Sequence, residues 1–66
     1  MKRNYQAIET VRNDSNGTTH TYKQSYATLD AIKEWAAGSA KAWNDAGYTY
    51  SLKVIYKPTK EVVWEF

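Results

Sequence analysis

The 66-residue chain contains no cysteine, one proline, three glycines and one histidine. Without thiols it can form neither a disulfide nor a thiolate metal site, so an extracellular disulfide scaffold is excluded. A single imidazole leaves no histidine pair for a metal and makes one side chain serve every acid–base scheme. No apolar run approaches the ~20 residues that a bilayer-spanning helix needs. The start of the chain, Lys2 and Arg3, leads into Gln6, Glu9 and Arg12 rather than into the apolar stretch of a signal peptide. The expected location is therefore the cytoplasm, with no membrane attachment. Internal repeats, low-complexity tracts, Gly-rich phosphate loops and nucleophile elbows are also missing.

What is present is aromatic: three Trp, six Tyr and one Phe within a hydrophobic fraction of 42%. Each ring can bury roughly 150–250 Å², enough for one thin core and one domain spanning residues 1–66. Such a core supplies no more than ~3–5 kcal/mol, and chains this short often gain a partner subunit. Monomer and homodimer are both open on this ground, and the dimer reading pairs exposed strand edges. Nine basic and seven acidic side chains give a net charge of +2, an ordinary balance for solubility rather than a nucleic-acid footprint.

Asn16-Gly17 between two β-rich segments is the first landmark. A type I′ turn needs positive φ at both central positions, which Asn and Gly tolerate best. Strands over about 4–13 and 18–26 then pair Val11 with Tyr22, Ala7 with Tyr26 and Asn13 with His20. Tyr5, Ala7, Val11, Tyr22 and Tyr26 share an apolar face, and Ile8, Thr10, Arg12, Thr19, Thr21, Lys23 and Ser25 share the other. Glu9, opposite Gln24, is the misfit on the apolar side.

Thr28 is suited to cap a helix over about 29–46, with Asp30 complementing the positive end of its dipole. Leu29, Ile32, Ala36, Ser39, Ala40 and Trp43 form its buried stripe, and Asp30, Glu34, Lys41 and Asp45 lie opposite. Ion pairs are expected between Asp30 and Lys33 and between Lys41 and Asp45. Gly47 ends the helix in a left-handed conformation, and Gly38 reads either as room for neighbouring rings or as part of a flat contact patch beside Trp35. A third strand over 48–57 alternates Tyr48, Tyr50, Leu52, Val54 and Tyr56 with Thr49, Ser51, Lys53, Ile55 and Lys57. A turn at Lys57-Pro58-Thr59-Lys60, of three or five residues, leads into a fourth strand over 61–66. Val62, Trp64 and Phe66 then pair with Tyr56, Val54 and Leu52. The predicted fold class is α+β: β-β-α-β-β, a four-stranded antiparallel sheet in the order 2-1-3-4 with one helix packed on one face.

No constellation carries catalysis. His20 lies beside the first hairpin tip with no second imidazole or oriented acid. Asp14-x-Asn16-Gly17 resembles the start of a calcium loop but lacks the remaining ligands and is better explained as a turn. Asp30 and Glu34 fit a solvated helix face. No catalytic residue, metal or cofactor is expected, and the chain reads as non-enzymatic.

Two surfaces remain. The sheet face away from the helix carries Arg12, Lys23, Lys53 and Lys57 with Ile8, Ile55 and Val63, and with Glu61 and Glu65. It reads either as a solvated sheet face or as a weakly basic contact surface, and it lacks the aromatic platform on which single-stranded nucleic acid stacks. The second is Trp35, beside Ala31, Gly38 and Ala42, which reads either as core or rim packing or as a partner contact of the kind tryptophan often makes.

Tyr5-x-Ala7, Tyr26-Ala27-x-Leu29-Asp30, Ala46-Gly47-Tyr48 and Lys57-Pro58 span most of the chain. With these features it resembles the small phage-encoded proteins that interfere with host machinery, in particular the short phage inhibitors of bacterial RNA polymerase. The resemblance implies an accessory protein, phage or mobile-element derived, that occupies a surface of a host protein. It also implies a contact role for basic residues on the strand after the helix, where Lys57 matches by its place before proline and Lys53 shares its face. The family's arginine-rich character in that strand is absent here. A nucleic-acid-binding module using the same basic face is the alternative.

Overall fold

The computed structural model describes residues 2–66. Strands β1 (Tyr5–Asn13), β2 (Thr19–Tyr26), β3 (Tyr48–Tyr56) and β4 (Glu61–Glu65) form one antiparallel sheet in the order β2-β1-β3-β4. Helix α1 (Leu29–Asp45) connects β2 to β3 and packs on one side of the sheet, chiefly along β3. The α+β architecture and the strand order are those expected.

The helix starts and stops where local chemistry dictates. Thr28 is extended (φ −134°, ψ 151°), and its Oγ1 accepts from the Ala31 N–H at 3.3 Å. At the other end the Ala46 N–H donates to the Ala42 carbonyl at 3.2 Å, and Gly47 takes φ +88°, a conformation that costs a glycine little. Of the two readings of Gly38, the first fails. A Cβ added there would meet nothing within 4 Å, so this glycine makes room for no ring and lies on the solvent side of α1.

Ile32 and Ala36 of α1 meet Ala7, Leu52 and Val54 of the sheet in one core cluster, and Val11 and Ala40 are buried as well. Alanines on the helix let its axis approach the sheet, and rings close the margins: Tyr5, Tyr26, Trp35, Tyr50 and Trp64 pack around the cluster. Complete burial of Val11, Ile32 and Val54 contributes about 1.5–3 kcal/mol each.

Both hairpins depart from the expected pairings. In the first, Val11 faces His20, Ala7 faces Gln24 and Tyr5 faces Tyr26, a slip of two residues. Only Gly17 of the loop has positive φ (74°), which excludes the type I′ turn. Loop 14–17 closes instead through Gly17 N–H to Asn13 O (2.7 Å) and Asn13 N–H to Thr18 O (2.8 Å). The Asn16 Oδ1 accepts from the Thr18 N–H at 2.9 Å, so this side chain is used as a turn brace. Because side chains alternate with period two, the slip leaves each residue on its expected face.

In the second hairpin the Lys60 N–H donates to Tyr56 O at 2.8 Å, and Lys60 has φ 61°. The loop is 57–60, neither three nor five residues long. Val54 pairs with Trp64 as expected, and Phe66 exchanges two backbone bonds with Leu52. Tyr56, however, pairs with Glu61, and Ile55 with Val62. Stepping along β3 from Val54 to Ile55 moves the partner from Trp64 to Val62, so Val63 is the extra residue of a β-bulge. The bulge absorbs the parity change that the loop introduces, and it takes Val62 out of the apolar row.

Candidate functional site

The alternation places one residue set beneath α1 and the other on the opposite side of the sheet. On the opposite side, cross-strand rows can be read from the registers. Lys23, Ile8, Lys53 and Glu65 form one row, Thr21, Thr10 and Ser51 the next, and Thr19, Arg12 and Thr49 the third. Ser25, Gln6, Ile55 and Val62 form the row on the other side of Ile8. Arg12, Lys23, Lys53 and Lys57, expected as partner-contacting residues, thus share one surface, and all four are exposed.

The Lys57 ammonium donates to Ser25 Oγ at 2.5 Å, and the Lys57 N–H is fixed to Asn4 O at 2.7 Å. Lys57 is therefore held across β1 toward β2 rather than waving free. Lys23 and Lys53 flank Ile8 two strands apart, roughly 10 Å at the spacing of paired strands. Beside them a shallow cup of about 380 Å³ is lined by Ile8, Thr10, Ser51, Leu52, Lys53, Glu65 and Phe66. Hydroxyls of Thr10, Thr21, Thr49 and Ser51 stand between the cations and add hydrogen-bonding groups to the site. The alternation had already placed them there, so the signal was present.

No aromatic ring from the three longer strands stands on this face. Tyr5 and Tyr56 contact each other at 5.2 Å between centroids, Tyr26 meets Trp35 at 5.6 Å and Trp43 meets Tyr48 at 5.0 Å, all on the helix side. Trp35 is half-buried against the core, with its indole Nε1 enclosed. It therefore lies on the opposite side of the sheet from the four cations. Lys33 sits over the Trp64 ring at 5.6 Å, a cation–π contact. It makes no ion pair with Asp30, and among the described residues only Lys41 and Asp45 pair, at 3.9 Å on the exposed face of α1.

On the helix side of the sheet lies Glu9, the polar group that alternation marks as a misfit among apolar neighbours. Glu9 stands between Tyr22 and Leu52 in its row. Burial and, secondarily, the Glu9 carboxylate raise the pKa of both Tyr26 and Tyr50, with the Trp35 indole opposing the shift at Tyr26. The Tyr50 hydroxyl and Trp35 Nε1 are buried without a hydrogen bond of good geometry, although Glu9 faces the first and Tyr26 the second.

The residues of the calcium-like fragment are engaged locally. Asp14 Oδ1 accepts from the Thr49 hydroxyl at 2.7 Å, its N–H donates to Gly47 O at 3.1 Å, and Asn16 braces the turn. His20 is exposed on β2 opposite Val11. Among the described residues no three His, Cys, Asp or Glu side chains gather, and no helix is long and apolar enough to cross a membrane. Comparison with protein families, curated proteins and solved structures finds no match.

Proposed function

We propose that the protein is a non-enzymatic binding module whose helix-free sheet face covers an acidic surface of another protein. The observation that carries this reading is the gathering of Arg12, Lys23, Lys53 and Lys57 on one exposed face. Ser and Thr hydroxyls between them can satisfy a partner's carboxylates and carbonyls, and Ile8 and Ile55 supply apolar contact at the centre. The resemblance to phage inhibitors of host machinery makes a bacterial host protein, transcription machinery included, the first partner to test.

The test is capture from a bacterial lysate with the wild-type chain and with the Lys53→Glu, Lys57→Glu double variant. A protein retained by the first and lost by the second supports the reading; equal retention by both overturns it. Trp35 packs on Tyr26 and the core, so its truncation reports on stability together with binding, and the lysines give the cleaner readout. Nucleic acid is the second reading, favoured only by the positive charge of the same face. Phosphate contacts make affinity fall steeply with salt, so oligonucleotide binding at low salt that vanishes near 0.2 M would select it.

A further inference from the structure

The two edges of the sheet are built differently. β4 is five residues long, interrupted by its bulge, and carries Glu61 and Glu65. Short length, a bulge and charge are the devices that keep a strand edge from pairing. β2 has none of these beyond one lysine: it runs eight residues, THTYKQSY, in unbroken register with β1. Asn13 N–H bonds to Thr18 O, and alternation of bonding then directs the N–H and C=O of Thr19, Thr21, Lys23 and Ser25 away from β1. The helix lies along β3 and leaves the β2 margin open. There Tyr22 is 50% exposed, with its ring stacked on Trp43 at 6.3 Å.

We infer that β2 is the pairing edge of a two-fold dimer, in which the β2 strands of two copies run antiparallel about Tyr22. The strand is complementary to itself in that register. Thr21 faces Lys23 of the second copy, Thr19 faces Ser25 and His20 faces Gln24, so no like charges stand directly opposite. A register centred on Lys23 would set the two lysines against each other, which is unfavourable. The outward groups of Thr19, Thr21, Lys23 and Ser25 all find partners. Tyr22 meets its counterpart at the axis, with a Trp43 ring behind each, and the exposed aromatic surface is covered from both sides. A second copy answers a polar, nearly uncharged strand better than a foreign strand does, because each side chain from Thr19 to Ser25 meets a hydroxyl, amide, imidazole or single ammonium already present in the same strand. The dimer is independent of what the open face binds.

Light scattering after size exclusion, across a concentration series, should give twice the 7.6 kDa chain mass. Thr21→Pro removes an outward donor without touching the bonds to β1, and it should be monomeric with an unchanged circular dichroism spectrum. The chain has no cysteine, so Tyr22→Cys should cross-link to itself under mild oxidation while Val62→Cys on β4 should not. A monomer at millimolar concentration overturns the inference. So does a dimer that Thr21→Pro leaves intact, or cross-linking through position 62 but not 22. If Thr21→Pro unfolds the chain, the cysteine pair decides alone.

Discussion

At the scale of single residues, the instructive group is Tyr50. Its hydroxyl is buried without a formed hydrogen bond, and burial, reinforced by the Glu9 carboxylate, raises its pKa above 10. In the unfolded chain the phenol ionises near pH 10, whereas in the folded chain it holds its proton to higher pH. Above that point the unfolded state binds fewer protons than the native state, so stability falls as pH rises. This group therefore leaves stability unaffected below about pH 10 and lowers it as pH rises further. Tyr50→Phe removes this liability. We expect its unfolding by circular dichroism to begin at higher pH than that of wild type, with stability at pH 7 unchanged or raised by about 1 kcal/mol. A variant that unfolds earlier in alkali would mean that the hydroxyl is bonded after all. Glu9 itself was legible only as a misfit. The phenols it acts on, Tyr26 and Tyr50, come from two different strands, and no local spacing connects them.

At the scale of elements, the helix was the most readable part, because its cap, stripe and stop each depend on neighbours within one or two turns. Thr28, Ile32, Ala36, Ala40 and Gly47 all serve as their chemistry suggests. The hairpins were less readable, because a register two residues away has the same faces and hence the same hydrophobic pattern. What decides between the two is backbone strain at Asn16 and Gly17, and the chain places positive φ on Gly17 alone. The β4 bulge was illegible for a related reason: Val62 and Val63 are equally apolar, and nothing local says which of them is extra. Two glycines give opposite predictions. Gly38 is exposed mid-helix with open space around it, so Gly38→Ala should raise stability by about 0.5–1 kcal/mol. Gly47→Ala forces an alanine into φ +88° and should lower it by about 1 kcal/mol. Urea denaturation of both variants checks the pair, and equal signs would contradict the helix boundaries.

At the scale of the whole molecule, the fold is an elongated slab of 39 × 20 × 16 Å. All seven buried residues among those described lie between the helix and the sheet face that it covers. The opposite face contributes little to stability, so its charges are free to serve recognition. Lys53→Glu with Lys57→Glu removes four units of charge, taking the net value from +2 to about −2, and solvated substitutions of this kind usually stay within ~0.5 kcal/mol. The double variant should therefore melt near the wild-type temperature in a thermal scan, and a large loss would mean that the Lys57 contact with Ser25 carries more of the fold than an exposed bond normally does. That β1, β2 and β3 would put no ring on the basic face was readable from alternation alone. That β4 would end in a bent, acidic margin was not, since it depends on the Val63 bulge.

The bent margin has a consequence for how the protein behaves when concentrated. A sheet with two receptive borders can recruit neighbours without limit and grow into fibrils. Here the Val63 bulge and the flanking glutamates blunt one border, so the pairing proposed through β2 would halt after a single step, leaving a discrete pair in solution instead of a precipitate.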